Sequence, residues 1–145
     1  MCLLFCLIMQ PKFAPREIFE QILEWVVIPT FDLVIEYGDQ GVIMVRRKIE
    51  PYNNVLAFSG LWMYKGEEIH DTLKRIAKQE LGLEIDPSSI VFLGQYVGKF
   101  KTEHERQDLS TGYFLHIPET MPIVLNQDHL STYKLTKEII SPIGA

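Results

Sequence analysis

The sequence predicts a single layered domain of class α/β or α+β, because strand-like segments dominate and one strongly periodic helix lies in the middle of the chain. The chain has 145 residues, of which 47% are hydrophobic, and this is enough material for one sizeable core. No internal repeat or long linker divides it. We therefore expect one domain over residues 16–145, preceded by an apolar extension over residues 1–15.

The extension begins with an apolar run over residues 1–9, far shorter than the ~20 residues that a membrane-spanning helix needs. We expect a poorly ordered segment and no membrane partner, with a signal peptide as the alternative. Both cysteines, Cys2 and Cys6, lie in this run, so the sequence has neither a disulfide framework nor a four-ligand zinc site. A reducing, cytoplasmic location is the simpler expectation.

The charge of the chain limits its partners. The formal net charge is −5, and no cluster of Lys and Arg is large enough for non-specific nucleic-acid binding. A phosphate-bearing small molecule can still bind through a few well-placed cations and a metal ion. We therefore expect a small-molecule partner and no nucleic acid.

Periodicity and turn residues place the elements in order. Residues 16–25 have the spacing of a short amphipathic helix, and Pro29 marks a break after it. Strands are expected at residues 31–37, 42–47, 55–58, 90–97, 113–117 and 131–135. The glycines at 38 and 41 make the first two strands a hairpin. The polar segment 99–112 is expected to be a loop.

The central helix, expected over residues 67–81, carries one carboxylate on its apolar stripe. The stripe consists of Ile69, Leu73, Ile76, Ala77 and Leu81. Glu80 falls within this stripe and in the last helical turn, where both burial and the helix dipole disfavour its charge. A metal ion, a raised pKa or an ion pair with a Lys or Arg from a strand would compensate, and the ion pair is the simplest of the three. Gly82 is expected to end the helix.

A spaced motif surrounds this helix. It consists of Gly60, Glu67, Arg75 and the run Glu80-Leu81-Gly82-Leu83, with six, seven and four residues in the gaps. This motif resembles the Nudix box, and the resemblance covers about residues 27–136. It implies an α/β/α sandwich around a mixed β-sheet, and a metal-dependent hydrolase of a nucleoside diphosphate linked to another moiety.

The box departs from the usual pattern at three positions. Ile76 and Gln79 stand where the family usually has glutamates, and Leu61 replaces the second glycine. GDP-mannose mannosyl hydrolases are similar in lacking those glutamates. That resemblance implies one Mg²⁺ (or Mn²⁺), a nucleotide-sugar substrate and attack of water on the anomeric carbon. The segments 94–98, 103–112 and 128–133 also look like that branch.

The resemblance implies a set of site residues. Glu80 and His129 are expected to bind the metal with help from the Gly60 carbonyl, and His129 is also a candidate general base. Arg47 resembles an arginine that stabilises the leaving diphosphate. The candidate catalytic residues are therefore His129, Arg47 and Glu80, and the candidate substrate-binding residues are Asp32, Arg47, Trp62 and Tyr113.

Alternatives remain open at this stage. His129 can be an ordinary polar loop residue, Arg47 part of a solvated strand end, and Trp62 a packing residue. At the level of function, the alternatives are an ADP-ribose or dinucleotide pyrophosphatase that attacks phosphorus, and a non-catalytic nucleotide-binding module. A homodimer is a further alternative for the assembly of the chain.

Overall fold

The computed structural model describes residues 12–50, 53–101 and 103–138. In that part of the chain the elements are α1 (Arg16–Trp25), β1 (Ile28–Tyr37), β2 (Val42–Arg47), β3 (Leu56–Ala57), β4 (Ser59–Trp62), α2 (Ile69–Leu81), β5 (Val91–Lys99), β6 (Gln107–Ile117) and β7 (Leu130–Thr136). The first helix covers the residues that its periodicity predicts. The predicted hairpin between β1 and β2 is also present, with Gly38 and Gly41 at positive φ in its turn.

The strands form one mixed sheet. Its order is β3-β2-β1-β6-β5, with β4 paired to β1 and β7 paired to β2. The pair β1 and β6 is parallel over the full length of β1, and the other pairs are antiparallel. The mixed sheet and the helices confirm the predicted α/β class of fold. Since β6 occupies one edge of β1, the other edge is shared by β4 near the start of the strand and by β2 near its end.

The main core lies between the sheet and α2. Alternate residues of β1, namely Phe31, Leu33, Ile35 and Tyr37, are buried in one cluster with Leu73, Ile76, Ala77 and Leu81 of α2. The intervening residues Thr30, Asp32 and Val34 line a cleft on the other face of β1. This follows from the alternation of side chains along a strand. One face of β1 therefore builds the core and the other builds the candidate site.

Helix α2 differs from its predicted form at its first turn. It begins at Ile69, because Glu68 and Asp71 form a reciprocal capping box with the backbone at this point. Ile69 is 40% exposed, so its assignment to the buried stripe is wrong, whereas the rest of the stripe is buried. Gly82 ends the helix in the left-handed conformation, as predicted.

Two further sequence-based predictions of local structure are wrong. Pro29 lies inside β1 and breaks no element, because a proline near the start of a strand withholds only one hydrogen bond, and its carbonyl accepts from the Met63 amide. The predicted loop 99–112 contains the first residues of β6. The inward side chains of these residues include Asp108 and Ser110, which are polar and line the cleft, so the segment lacks the apolar alternation that predicts a strand.

The ends of the chain fall largely outside these ranges. The predicted extension is described only from Lys12 onward, and its residues 1–11, with both cysteines, lie outside the described residues. The Lys12 amide donates to the Lys65 carbonyl at 3.1 Å, which ties this segment to the loop before α2. Within the described ranges, no helix is long and apolar enough to cross a membrane.

Candidate active site

A cleft of about 1200 Å³ lies on the face of β1 that is turned away from α2. Five of the predicted site residues line it, namely Asp32, Arg47, Gly60, Trp62 and His129. Glu80 is not on its wall but contacts His129. Tyr113 lies apart from the others, in the main core, where its ring stacks on Phe31 with centroids 6.1 Å apart. The structure therefore brings together all the predicted residues except Tyr113.

The carboxylate on the apolar stripe of α2 is paired with the loop histidine. Glu80 is 3% exposed, which confirms its burial, and its Oε1 lies 2.7 Å from His129 Nδ1. Asn126 completes the group, with its Nδ2 3.4 Å from Glu80 Oε1 and 3.2 Å from His129 Nδ1. The side chain of His129 is 31% exposed and lines the cleft. His129 therefore connects a buried carboxylate to the cleft.

The turn that carries His129 is fixed by the backbone of Asn126. The Asn126 amide donates to the Glu80 carbonyl at the end of α2, and the Asn126 carbonyl accepts from the amides of His129 and Leu130. The His129 carbonyl in turn accepts from the Lys48 amide at 2.7 Å. The loop is thus held against both α2 and the end of β2, and this holds the imidazole beside Glu80. Asn126 is a site residue that the motif does not include.

Arg47 ends β2 beside this pair. The register of β2 against β7 shifts between Arg46 and Arg47, and such an irregularity re-aims the side chain that follows it. Burial lowers the pKa of Arg47, while the charges of Glu80 and Asp32 act in the opposite direction. The guanidinium is therefore a partly desolvated cation that faces two carboxylates. This is not the solvated strand end of the alternative interpretation.

Asp32 projects from the middle of β1 into the cleft. Its Oδ2 accepts from the Tyr96 hydroxyl at 2.7 Å and from the Ser110 hydroxyl at 2.5 Å. Burial raises the pKa of Asp32, and these two hydrogen bonds and the charge of Arg47 counter that effect. Tyr96 and Ser110 come from β5 and β6, far from Asp32 in sequence. Periodicity gives no signal for this convergence.

Gly60 is required by its contact with Asp32. The two residues face each other in the antiparallel pair of β4 and β1. A Cβ at position 60 would collide with Asp32 Oδ1 and would lie 2.9 Å from the Phe31 carbonyl oxygen. Only a glycine fits here, because the backbone of β4 approaches the carboxylate directly. The motif glycine is thus explained by packing within the cleft.

Glu67 and Arg75, the other two motif residues, form an internal ion pair. Glu67 accepts from Arg75 Nε at 2.5 Å and from Nη2 at 3.0 Å, and also from the Tyr64 amide and the Thr72 hydroxyl. Burial acts to raise the pKa of Glu67, but the hydrogen bonds from Arg75, the Tyr64 amide and Thr72, together with the charge of Arg75, outweigh it and leave the pKa lowered. Arg75 also donates to the Trp62 carbonyl at 2.7 Å. This pair fixes the loop between β4 and α2.

Aromatic side chains form one side of the cleft. Phe19 of α1 meets Trp62 edge-to-face at 5.0 Å, Trp62 meets Tyr64 at 6.1 Å, and Tyr64 meets Phe13 at 5.7 Å. All four residues line the cleft, and we call them the aromatic wall. Of these four aromatic residues, only Trp62 was predicted from the sequence to bind substrate. The alternation of Trp62 and Tyr64 after Gly60 was a usable signal, since such spacing places side chains on one face.

The resemblance implies Mg²⁺, and few side chains of the cleft are able to bind it. Across the described ranges, no group of three or more His, Cys, Asp and Glu side chains converges as a metal cluster. Glu80 and His129 are adjacent and offer one carboxylate oxygen and one imidazole. Mg²⁺ is commonly held by one or two carboxylates together with substrate phosphates and water. Two donors fit only a metal whose remaining ligands come from a phosphate ligand and water, and the Glu80–His129 hydrogen bond would have to open for both to bind it.

Comparisons with solved structures identify the fold. The chain is similar to a MutT/Nudix family protein from Enterococcus faecalis (TM-score 0.62, 18% identity, 81% of this chain and 54% of that one). It is also similar to the Nudix domain of Shewanella oneidensis NrtR, solved with ADP-ribose (0.62, 16%, 84% and 77%). A third is a bifunctional NMN adenylyltransferase/ADP-ribose pyrophosphatase from Francisella tularensis, solved with AMP and a Mn ion (0.58, 16%, 75% and 33%).

These likenesses show that the chain has the Nudix fold. No family model and no curated protein matches the sequence. The chain spans about half of the Enterococcus faecalis protein and a third of the Francisella tularensis protein. At identities of 18% and below, the fold is what these neighbours share with this chain.

Proposed function

We propose that this chain is a metal-dependent hydrolase that cleaves a nucleoside diphosphate linked to another moiety, with a GDP-mannose-like nucleotide sugar as the leading substrate class. The observation that carries the proposal is the Glu80–His129 pair beside Arg47 at the cleft. An imidazole backed by a buried carboxylate, with a partly desolvated guanidinium beside it at the cleft, suits a reaction in which a diphosphate leaves. The Nudix fold and its nucleotide-bound neighbours support the same class.

Arg47, His129 and Glu80 have separate roles in the proposed reaction. Arg47 binds the diphosphate and offsets the charge that develops as it leaves. When His129 Nδ1 donates to Glu80, its Nε2 is the acceptor and can take a proton from the attacking water. Glu80 and the Gly60 carbonyl are the groups that would hold Mg²⁺ or Mn²⁺, and His129 would join them only where its Nε2 does not act as the base, because the single lone pair cannot serve both roles. When bound, the metal supplies positive charge to the diphosphate.

Asp32 and Trp62 are proposed to contact the substrate. Asp32 is held by two hydroxyl groups and faces the cleft, so it can orient a sugar or nucleotide hydroxyl. Trp62 also lines the cleft and offers an apolar ring to the substrate. We further propose a small-molecule partner without nucleic acid, a cytoplasmic location, and a homodimer as a possible assembly. The charge of the chain supports the first of these.

A hydrolase that attacks phosphorus is the second candidate. It is favoured by the neighbours solved with ADP-ribose and with AMP and a Mn ion. A non-catalytic nucleotide-binding module is the third candidate. It is favoured by two of the altered box positions, since Ile76 is fully buried in the core and Gln79 is exposed and contacts Arg75. Neither position can supply a carboxylate to a metal.

The test is a turnover screen of the purified chain against nucleotide sugars and ADP-ribose, with Mg²⁺, with Mn²⁺ and with EDTA. Metal-dependent release of free sugar and nucleoside diphosphate is the expected result. Reaction in ¹⁸O-labelled water should place the label in the sugar, and label in phosphate would favour the second candidate. Nucleotide binding without turnover at any metal concentration would overturn the hydrolase and leave the binding module.

A further inference from the structure

The lining of the cleft combines two kinds of chemistry. One part is the aromatic wall of Phe13, Phe19, Trp62 and Tyr64. Other parts of the lining carry charged and hydrogen-bonding groups, among them Arg47, Asp32 and His129. A ligand that satisfies both kinds needs a flat apolar portion and an anionic portion in one molecule.

The rings of the aromatic wall are held in place before any ligand binds. Trp62 is contacted edge-to-face by Phe19 and by Tyr64, so its orientation is fixed from two directions. Tyr64 is fixed in turn by Arg75, whose guanidinium carbon lies 3.7 Å from the ring centroid. An ordered ring loses little conformational freedom when a ligand stacks on it, which favours binding.

The position of the wall suits ligand binding better than packing alone. Trp62 and Tyr64 stay partly exposed to the cleft, and Phe13 is 72% exposed. The cleft, at about 1200 Å³, is larger than the roughly 300–1,000 Å³ of typical small-molecule pockets. It therefore has room for a ring on the wall together with a diphosphate and a further group near Arg47.

We propose that the aromatic wall is the subsite for the planar base of a nucleotide, with Trp62 as its central stacking residue and α1 as part of the ligand site. This inference rests on the proposed function, because it assigns the base-binding part of the same substrate. Two of the four rings, Phe13 and Phe19, precede β1 and lie outside the region that resembles the Nudix box. Base recognition is thereby tied to the N-terminal helix.

Trp62 can report on its own occupancy. The chain has two tryptophans, and Trp25 is 83% exposed on α1, outside the cleft. In a Trp25→Phe background the emission comes from Trp62 alone. Titration with GDP or ADP should quench this emission, whereas inorganic pyrophosphate and ribose 5-phosphate, which have no base, should leave it unchanged. Equal responses to pyrophosphate and GDP would contradict a base subsite.

Leucine substitutions separate stacking from structural support. By calorimetry, Trp62→Leu should weaken GDP binding by roughly 5- to 150-fold, the range expected for loss of one base–aromatic stack, and Phe19→Leu should weaken it less. Pyrophosphate binding should not change in either variant, and Trp25→Leu is the matched control.

The outcomes distinguish this inference from the proposed function. Equal losses for GDP and pyrophosphate would mean that Trp62 only supports the fold, and unchanged GDP binding would remove it from the site. Failure of the wild type to bind GDP also overturns the subsite. Base-selective binding without any turnover would support the subsite and count against the hydrolase.

Discussion

Two carboxylates at opposite ends of α2, Glu67 just before its first turn and Glu80 in its last turn, have side chains that are buried to the same extent but have different partners. Each side chain is 4% exposed. Glu67 accepts hydrogen bonds from both arms of Arg75, from the Tyr64 amide and from the Thr72 hydroxyl. Glu80 has one short contact, to His129, and a longer one to Asn126. Burial alone therefore does not distinguish a structural carboxylate from a candidate functional one.

The type of partner explains the difference. Arginine stays charged at every relevant pH and presents a fork that matches a carboxylate, so Glu67 is satisfied within the protein. Histidine has two nitrogens, and pairing one of them with Glu80 leaves the other for a ligand. Glu67 should therefore serve stability, and Glu80 should serve chemistry. Substitutions of each carboxylate test this difference.

The largest expected effect is on turnover, in Glu80→Gln. The amide keeps the shape of the side chain and an oxygen for His129, but it removes the charge. We expect kcat/KM for the nucleotide-sugar substrate to fall about 10²- to 10⁴-fold, with a change in the free energy of unfolding below about 1 kcal/mol. Steady-state kinetics and urea unfolding measure the two quantities. Glu84→Gln, at an exposed position just beyond α2, is the control. Wild-type turnover in Glu80→Gln would refute the site assignment.

The second-largest effect that we expect is a decrease in the free energy of unfolding caused by Glu67→Ala. Removing one partner of a fully buried ion pair costs about 3–5 kcal/mol, and the partial exposure of Arg75 reduces this to about 2–3 kcal/mol. Urea unfolding should show that loss, while kcat of the folded protein should change less than in Glu80→Gln. Glu17→Ala, at an exposed position on α1, should leave unfolding unchanged. If Glu67→Ala were stable and inactive, the contrast between the two carboxylates would be reversed.

The smallest effect is in the pH dependence of stability. The pKa of Glu67 is lowered, so its contribution is present above its ordinary pKa of 4.5 and is lost as the pH falls through the folded value. The pKa of Asp32 is raised, so the folded state is penalised as the pH rises from 3.8 through the folded value.

Urea unfolding between pH 3 and 7 tests these opposite slopes. The stability gap between the wild type and Glu67→Gln should narrow as the pH falls below 4.5. Asp32→Asn should gain stability relative to the wild type as the pH rises through the acidic range. Parallel curves for all three proteins would show that neither carboxyl group has a shifted pKa.

Local sequence signals predicted much of the fold and part of the site. The hydrophobic stripe of α2, the glycine turn between β1 and β2 and the burial of Glu80 all depend on neighbours close in the chain, and each was predicted. The hydrogen bond between Glu80 and His129 was not predicted, because periodicity favoured a Lys or Arg from a strand as the partner of Glu80, and the resemblance grouped His129 with Glu80 only as a second metal ligand. The contacts of Asp32 with Tyr96 and Ser110 arise from strand pairing and leave no trace in periodicity. Only the second part of β6, residues 113–117, was predicted as a strand, because the inward side chains of its first part are polar.

The close approach of Gly60 to Asp32 bears on how this cleft can change over evolution. Because main chain occupies that part of the floor, no side chain at position 60 can be enlarged or trimmed to alter ligand preference. Variation in specificity is then expected at the rims of the cleft, where the side chains of Trp62 and Phe19 line the space for a ligand. A laboratory selection for a new ligand should accumulate substitutions at those rims and retain Gly60 throughout.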